Sequence, residues 1–194
     1  MSKNVKGPWI CVLAGLSILM SAAVESAAQS DPAAQYCQQN GGVVQTRVPK
    51  YGTNGPHPLQ LAGSARFCQF TNSQNQSKIT VGLDTLYTTL PSLTTSAYVF
   101  KPPYTPPQNP NVNPASSYCS QIGGSDLFGG PSGDGGWVLE NNPSDIVQIC
   151  VQPDLSMIDS FGILYHTQGV IRGKDLTHIF RWLVPAGQKS LIGK

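Results

Sequence analysis

The residues with most chemistry available are cysteines, and their spacing repeats. Cys37 and Cys68 stand 31 positions apart, and so do Cys119 and Cys150. A cysteine can be a nucleophile, a metal thiolate or half of a disulfide. Metal binding needs several ligands at short set spacings. The three histidines, His57, His166 and His178, show no such spacing with one another or with a cysteine. No serine sits in a Gly-x-Ser-x-Gly elbow. The Gly-rich stretch from Gly123 to Gly136 lacks the Gly-Lys-Ser/Thr that holds phosphate, and one Gly-Asp-Gly is not a calcium-binding array. Its expected role is a loop between strands. The sequence therefore predicts no catalytic residue, no metal and no cofactor. A concave polar pocket is the structural feature that would speak for an unrecognised hydrolase.

The ends point to a compartment. Lys3 and Lys6 precede an apolar run from Trp9 to Val24, and small residues follow, which is the order of a secretory signal over 1–28. That run is shorter than the roughly 20 residues of a spanning helix. Its Cys11 lies inside the run rather than at a lipid-attachment position. From Gln29 onward there are four cysteines, ten Lys/Arg and nine Asp/Glu, so 10 − 9 leaves a net charge of +1. An even cysteine count in an exported chain predicts disulfides. A near-neutral chain predicts no nucleic-acid partner. The expected location is periplasmic or secreted.

The cysteine spacing belongs to a larger duplication. Pro32-Ala-Ala-Gln-Tyr-Cys37 is followed by Gly41-Gly42, and Pro114-Ala-Ser-Ser-Tyr-Cys119 by Gly123-Gly124, at a constant offset of 82. Each copy should close its own bridge, which pairs Cys37 with Cys68 and Cys119 with Cys150. Asp31 and Asn113 read as N-caps, with Pro32 and Pro114 at the first helical position. Gly41 and Gly123 stand where a left-handed residue ends a helix. The helices are expected over 32–40 and 114–122. Strands are expected after each Gly-Gly, around each second cysteine, and in the third apolar stretches, Ile79 to Tyr87 and Phe161 to Tyr165, with His166 in the last strand.

The predicted fold class is thus α+β: two tandem small modules, each a short N-terminal helix on a small antiparallel sheet stapled by one disulfide. Module one spans 29–100, a Pro-rich linker 101–113, and module two 114–194. Six prolines between Pro102 and Pro114 suit a semi-rigid spacer without core contacts. Limited proteolysis there should release two folded halves. Asn75-Gln76-Ser77 is a glycosylation sequon. Asp175 to Val184 has helical apolar spacing at Leu176, Ile179, Phe180 and Leu183. Its Phe180, Arg181 and Trp182 are the candidate contact residues for a membrane surface or a partner, while the preferred reading of the segment is a terminal helix packed on module two with its charges in solvent.

The block Asn113-Pro-Ala-Ser-x-Tyr-Cys119-x-x-x-Gly123-Gly124, with Cys150-Val-Gln-Pro153-Asp154, Asp159-Ser-Phe161 and Arg172-Gly173, resembles a bacterial envelope domain of unknown function whose members are often labelled haemolysins. Module one matches at Pro32 to Gly42 and at Cys68. The resemblance implies an exported, disulfide-stapled envelope module. A second cysteine pair and a lipid-attachment cysteine common in that family are absent here, and Phe161 stands where the family tends to carry Trp. The expected function is non-enzymatic: binding a protein partner as an accessory component of an envelope or secretion assembly. The alternative is a membrane-active protein acting through its basic C-terminal segment.

Overall fold

A computed structural model describes residues 31–126 and 134–183. The expected signal at 1–28, the centre of the Gly-rich stretch at 127–133 and the tail at 184–194 lie outside the described residues.

Helix α1 (Pro32–Gln39) begins where its cap dictates. Asp31 Oδ1 accepts from the backbone N–H groups of Ala33 and Ala34 at 2.9 and 3.2 Å. Asn113 does the same for Ala115 and Ser116 at the start of α4 (Pro114–Gln121). These contacts satisfy N–H groups that a helix cannot bond internally. The first glycine after each helix is left-handed, Gly41 at φ 81° and Gly123 at φ 85°. The second glycine has a different duty. A Cβ on Gly124 would lie 2.6 Å from Cys150 Sγ and 2.9 Å from Cys119 Sγ, and a Cβ on Gly42 would strike the Cys37–Cys68 bridge. The Gly-Gly pair thus turns the chain and leaves room for the disulfide. Gly124→Ala is expected to destabilise by about 1–3 kcal/mol through overpacking, measurable by urea unfolding.

Both bridges are present: Cys37–Cys68 with Cα atoms 5.7 Å apart, and Cys119–Cys150 with 5.6 Å. Each ties a helix to a strand. The strands are β1 (Val43–Tyr51), β2 (Leu59–Gln60), β3 (Ala65–Thr71), β4 (Lys78–Gly82), β5 (Gly135–Leu139), β6 (Asn142–Val147), β7 (Ile149–Val151) and β8 (Met157–Asp159). Helices α2 (Leu83–Tyr87) and α3 (Leu93–Phe100) follow β4, and α5 (Ser160–Thr167) follows β8.

The mixed α+β class holds, but the strands make one antiparallel sheet, not two. Its order is β6-β5-β1-β3-β4-β8-β7, with β2 paired beside β1. Strand β1 of the first half pairs with β5 of the second, and β4 pairs with β8. A three-stranded unit would leave backbone N–H and C=O groups open along its edges. Pairing β4 with β8 closes one such edge from each half. The registers correspond across the halves. Val43 pairs with Gln69, and 82 positions on, Ser125 pairs with Val151. Cys68 lies opposite Val81, as Cys150 lies opposite Ile158, and Val81 lies opposite Ile158. One row thus crosses the sheet as Cys68, Val81, Ile158, Cys150, with a disulfide at each end.

The core is also common to both halves. Phe70, Ile79, Leu86 and Tyr98 bury together with Ile158, Ile163, Leu176 and Phe180. Tyr36 Oη donates to Ile179 O at 2.7 Å, across 143 positions of chain. The Pro-rich segment is likewise no free spacer. Tyr118 Oη donates to Pro102 O at 2.8 Å, Tyr104 packs edge-on against Tyr118, and Thr105 N–H donates to Gln121 at 3.0 Å. Its prolines keep it out of ladders and helices, yet its aromatic and carbonyl groups strap it to α4. A cut in this strap leaves the paired strands of both halves holding one another, so release of independently folded halves no longer follows.

Two local expectations change. Phe161 to Tyr165 and His166 are helical, because Asp159 caps α5 by accepting from Gly162 N–H at 2.9 Å and ends the strand at three residues. Leu83 to Tyr87 is also helical and forms α2, which starts at Gly82 without a side-chain cap. Asp175 to Leu183 is not one helix but turns and a 3₁₀ turn at Arg181–Leu183. So short a segment gains little from helix formation. Packing decides instead: Leu176, Ile179 and Phe180 are drawn into the core, and Leu176 N–H donates to Tyr98 Oη at 3.2 Å. Helix α3 has its own start signal, a reciprocal capping box between Ser92 and Thr95.

Candidate functional site: a polar groove on the open face of the sheet

Side chains alternate across a strand. The row holding the two disulfides faces the helices. One residue away, Gln69, Thr80 and Asp159 turn to the other face. All three are buried, although they are polar. They form part of the lining of a groove of about 680 Å³, whose walls include Asn142, Ser144, Asp145 and Gln148 from the β6 region, and Lys78, Phe161 and Arg172.

The wall is held up by Arg47. Its guanidinium is fully buried and fully bonded. Nε and one terminal nitrogen donate to Gln45 Oε1 at 3.1 and 2.7 Å. The other terminal nitrogen donates to the carbonyls of Trp137 and Asp145, both at 3.1 Å. An ion pair of 2.8 Å joins Arg47 to Asp145 Oδ1. One side chain on β1 therefore grips both β5 and β6 and curls that edge over the sheet. All five N–H groups have a direction in which to donate, which is what a buried arginine requires. Lys78 Nζ stands 3.8 Å from Asp145 Oδ2.

Asp159 is the unusual group in the groove. It caps α5 through Gly162 N–H, a role that Asn performs equally well. Burial pushes its carboxyl up to about 6, against the opposing pull of the Gly162 N–H and of Arg172. A carboxyl whose folded value is raised contributes stability below its usual 3.8 and loses it as pH rises through about 6. At neutral pH the protein thus holds a buried negative charge at a cost in stability. Such groups concentrate where a protein binds or reacts with something.

The residues predicted as sites lie elsewhere. The four cysteines are in the two bridges on the opposite face. Phe180 is fully buried, edge-on to Tyr98. Arg181 lies over the Tyr87 ring at 3.9 Å, and Trp182 packs against the core, half-buried. His57 and His178 are exposed. His166 is buried, stacked on Tyr98 at 3.7 Å, and does not line the groove. Among the described residues no group of three His, Cys, Asp or Glu could hold a metal ion, and no helix is long and apolar enough to cross a membrane.

Sequence reasoning missed Arg47, Asp145 and Asp159. Arg47 sits in Gln45-Thr46-Arg47, which reads as the solvated side of a strand. Nothing in the sequence spacing of Asp145, Asp159 and Arg172 marks a site. Their juxtaposition is a product of long-range strand pairing. Comparison with protein-family models, with curated proteins and with solved structures finds no match for the chain.

Proposed function

We propose that this is an exported, non-enzymatic binding protein, an accessory component of an envelope or secretion assembly, whose groove takes a polar, hydrogen-bonding ligand. The observation that carries this reading is Asp159: a buried carboxylate, replaceable as a cap by Asn, set among Gln69 and Thr80 in a concave polar lining. Two disulfides support export, since such bridges persist in oxidising compartments. The corresponding registers support descent from a duplicated stapled unit, with the two copies now fused through the β4–β8 pair as an intrachain pseudo-dimer. Burial of Phe180 weighs against the membrane-active alternative, because that ring is spent on the core.

Hydrolysis is the second reading, and one observation favours it. Asp159, with its carboxyl raised to about 6, shares the groove with Asp145, which Arg47 holds in an ion pair. Two carboxyls lining one groove, one buried and one paired with an arginine, are the residue types that glycoside cleavage uses as acid and base. Amide-resolved NMR separates the readings. Titration with maltotriose, trigalacturonate and trialanine is expected to move the amides of Gln69, Thr80 and Asp159 for at least one probe, with the probe unchanged after days. Cleaved probe supports the hydrolase. Absence of any shift at those amides with all three at millimolar concentration overturns the groove as the functional site.

A further inference from the structure

We propose that the groove's ligand is an acidic saccharide, its carboxylate held by Arg172 and Lys78 and its hydroxyls by Gln69, Thr80 and Asp159. This rests on the groove being the binding site, and narrows it to a class. The first ground is the charge inventory. Of the three cations lining or bracing the groove, Arg47 is committed to Asp145 and to main-chain carbonyls. Arg172 forms no ion pair within 4.0 Å among the described residues. It lies 5.6 Å from the Tyr165 ring, half-buried at the groove's edge. Lys78 is exposed and only loosely opposed to Asp145, which Arg47 already neutralises. Both residues line the groove, and Gly173 N–H donates to Ser77 Oγ at 3.0 Å, which holds the segments carrying Arg172 and Lys78 next to each other. A guanidinium and an ammonium lining one groove, neither held in a close ion pair, suit a carboxylate.

The second ground is the floor. Gln69 donates to Thr80 Oγ1 at 3.4 Å and accepts from Gln45 at 3.1 Å, which leaves a second amide hydrogen on Gln69 and the Thr80 hydroxyl hydrogen for a ligand, and Asp159 accepts. Hydroxyl groups of a sugar donate and accept in the same mixture. Phe161, half-buried on the lining, offers the apolar face that a pyranose ring covers.

The test is isothermal titration of the full chain with trigalacturonate, maltotriose and trialanine at low salt. Trigalacturonate is expected to bind at least tenfold more tightly than either of the others, and to weaken as salt is raised. Arg172→Gln should lose about tenfold for trigalacturonate and leave maltotriose unchanged. Lys78→Gln, an exposed position, gives a second reading in case the first variant is misfolded, with a loss of several-fold. Equal binding of maltotriose and trigalacturonate, at the Gln69 and Thr80 amides, overturns the acidic class and leaves the groove intact. Preference for trialanine overturns the saccharide class. No binding by any probe overturns both this inference and the reading it rests on.

Discussion

Replacing Cys119 and Cys150 together by Ser is expected to lower stability by about 3–4 kcal/mol, and the Cys37 and Cys68 pair by a similar amount. Each bridge closes a loop of about 32 residues, and the chain-entropy model assigns that much to a loop of this length. The effect is large because total stability of a domain is only about 5–15 kcal/mol. The bridges also do something local. They pin α1 to β3 and α4 to β7 at the two ends of one cross-strand row. Losing either should loosen its own helix first. Urea unfolding of both double variants, read with amide hydrogen exchange over 32–39 and 114–121, checks the size and the place. Independence of the two losses is not expected, because β4 and β8 join the halves.

Arg47→Ala is expected to cost about 3–5 kcal/mol, the cost of removing one partner of a buried, fully bonded pair. The substitution strips Asp145 of its ion pair and leaves the carbonyls of Trp137 and Asp145 without that donor. Arg47→Met fills the space and should cost less. Combining either with Asp145→Asn should recover part of the loss, since the uncompensated carboxylate is then gone. A thermodynamic cycle over the wild type, Arg47→Ala, Asp145→Asn and the double variant measures the coupling. The structural readout is the amide spectrum of 142–147: with Arg47 absent, β6 should lose protection while β3 and β4 keep theirs.

How much of this was legible follows from range along the chain. The helices at 32–39 and 114–121, their Asp31 and Asn113 caps, the left-handed Gly41 and Gly123 and the cysteine pairs are written in short, repeated segments. Their determinants lie within a few residues, or in the spacing of a duplication. The partition into two sheets failed because edge pairing is not local. Nothing within 78–82 says that Val81 will meet Ile158 instead of solvent. The Asp175–Leu183 segment failed for a related reason: its apolar spacing fits a helix, and core packing of Leu176 and Phe180 overrode it. The groove was invisible because its parts, Arg47, Gln69, Thr80, Asp145 and Asp159, are ordinary strand residues until the sheet aligns them. Only their common face makes them a site.

The claim that the groove is built around a carboxylate kept against stability is tested most directly at Asp159. Asn keeps the cap on Gly162 and removes the charge. Asp159→Asn is therefore expected to stabilise the protein at pH 7 by about 1–3 kcal/mol, from the difference between about 6 and the usual 3.8. The gain should shrink as pH falls from 6 towards 3.8 and vanish only well below 3.8, at about pH 3, where Asp159 is protonated in both folded and unfolded chains. The measurement is urea unfolding of both proteins at half-unit steps from about pH 3 to pH 8. A stability difference that grows from near zero to that range with rising pH is the predicted result. A variant less stable at pH 7, or a difference that does not change with pH, would contradict the account.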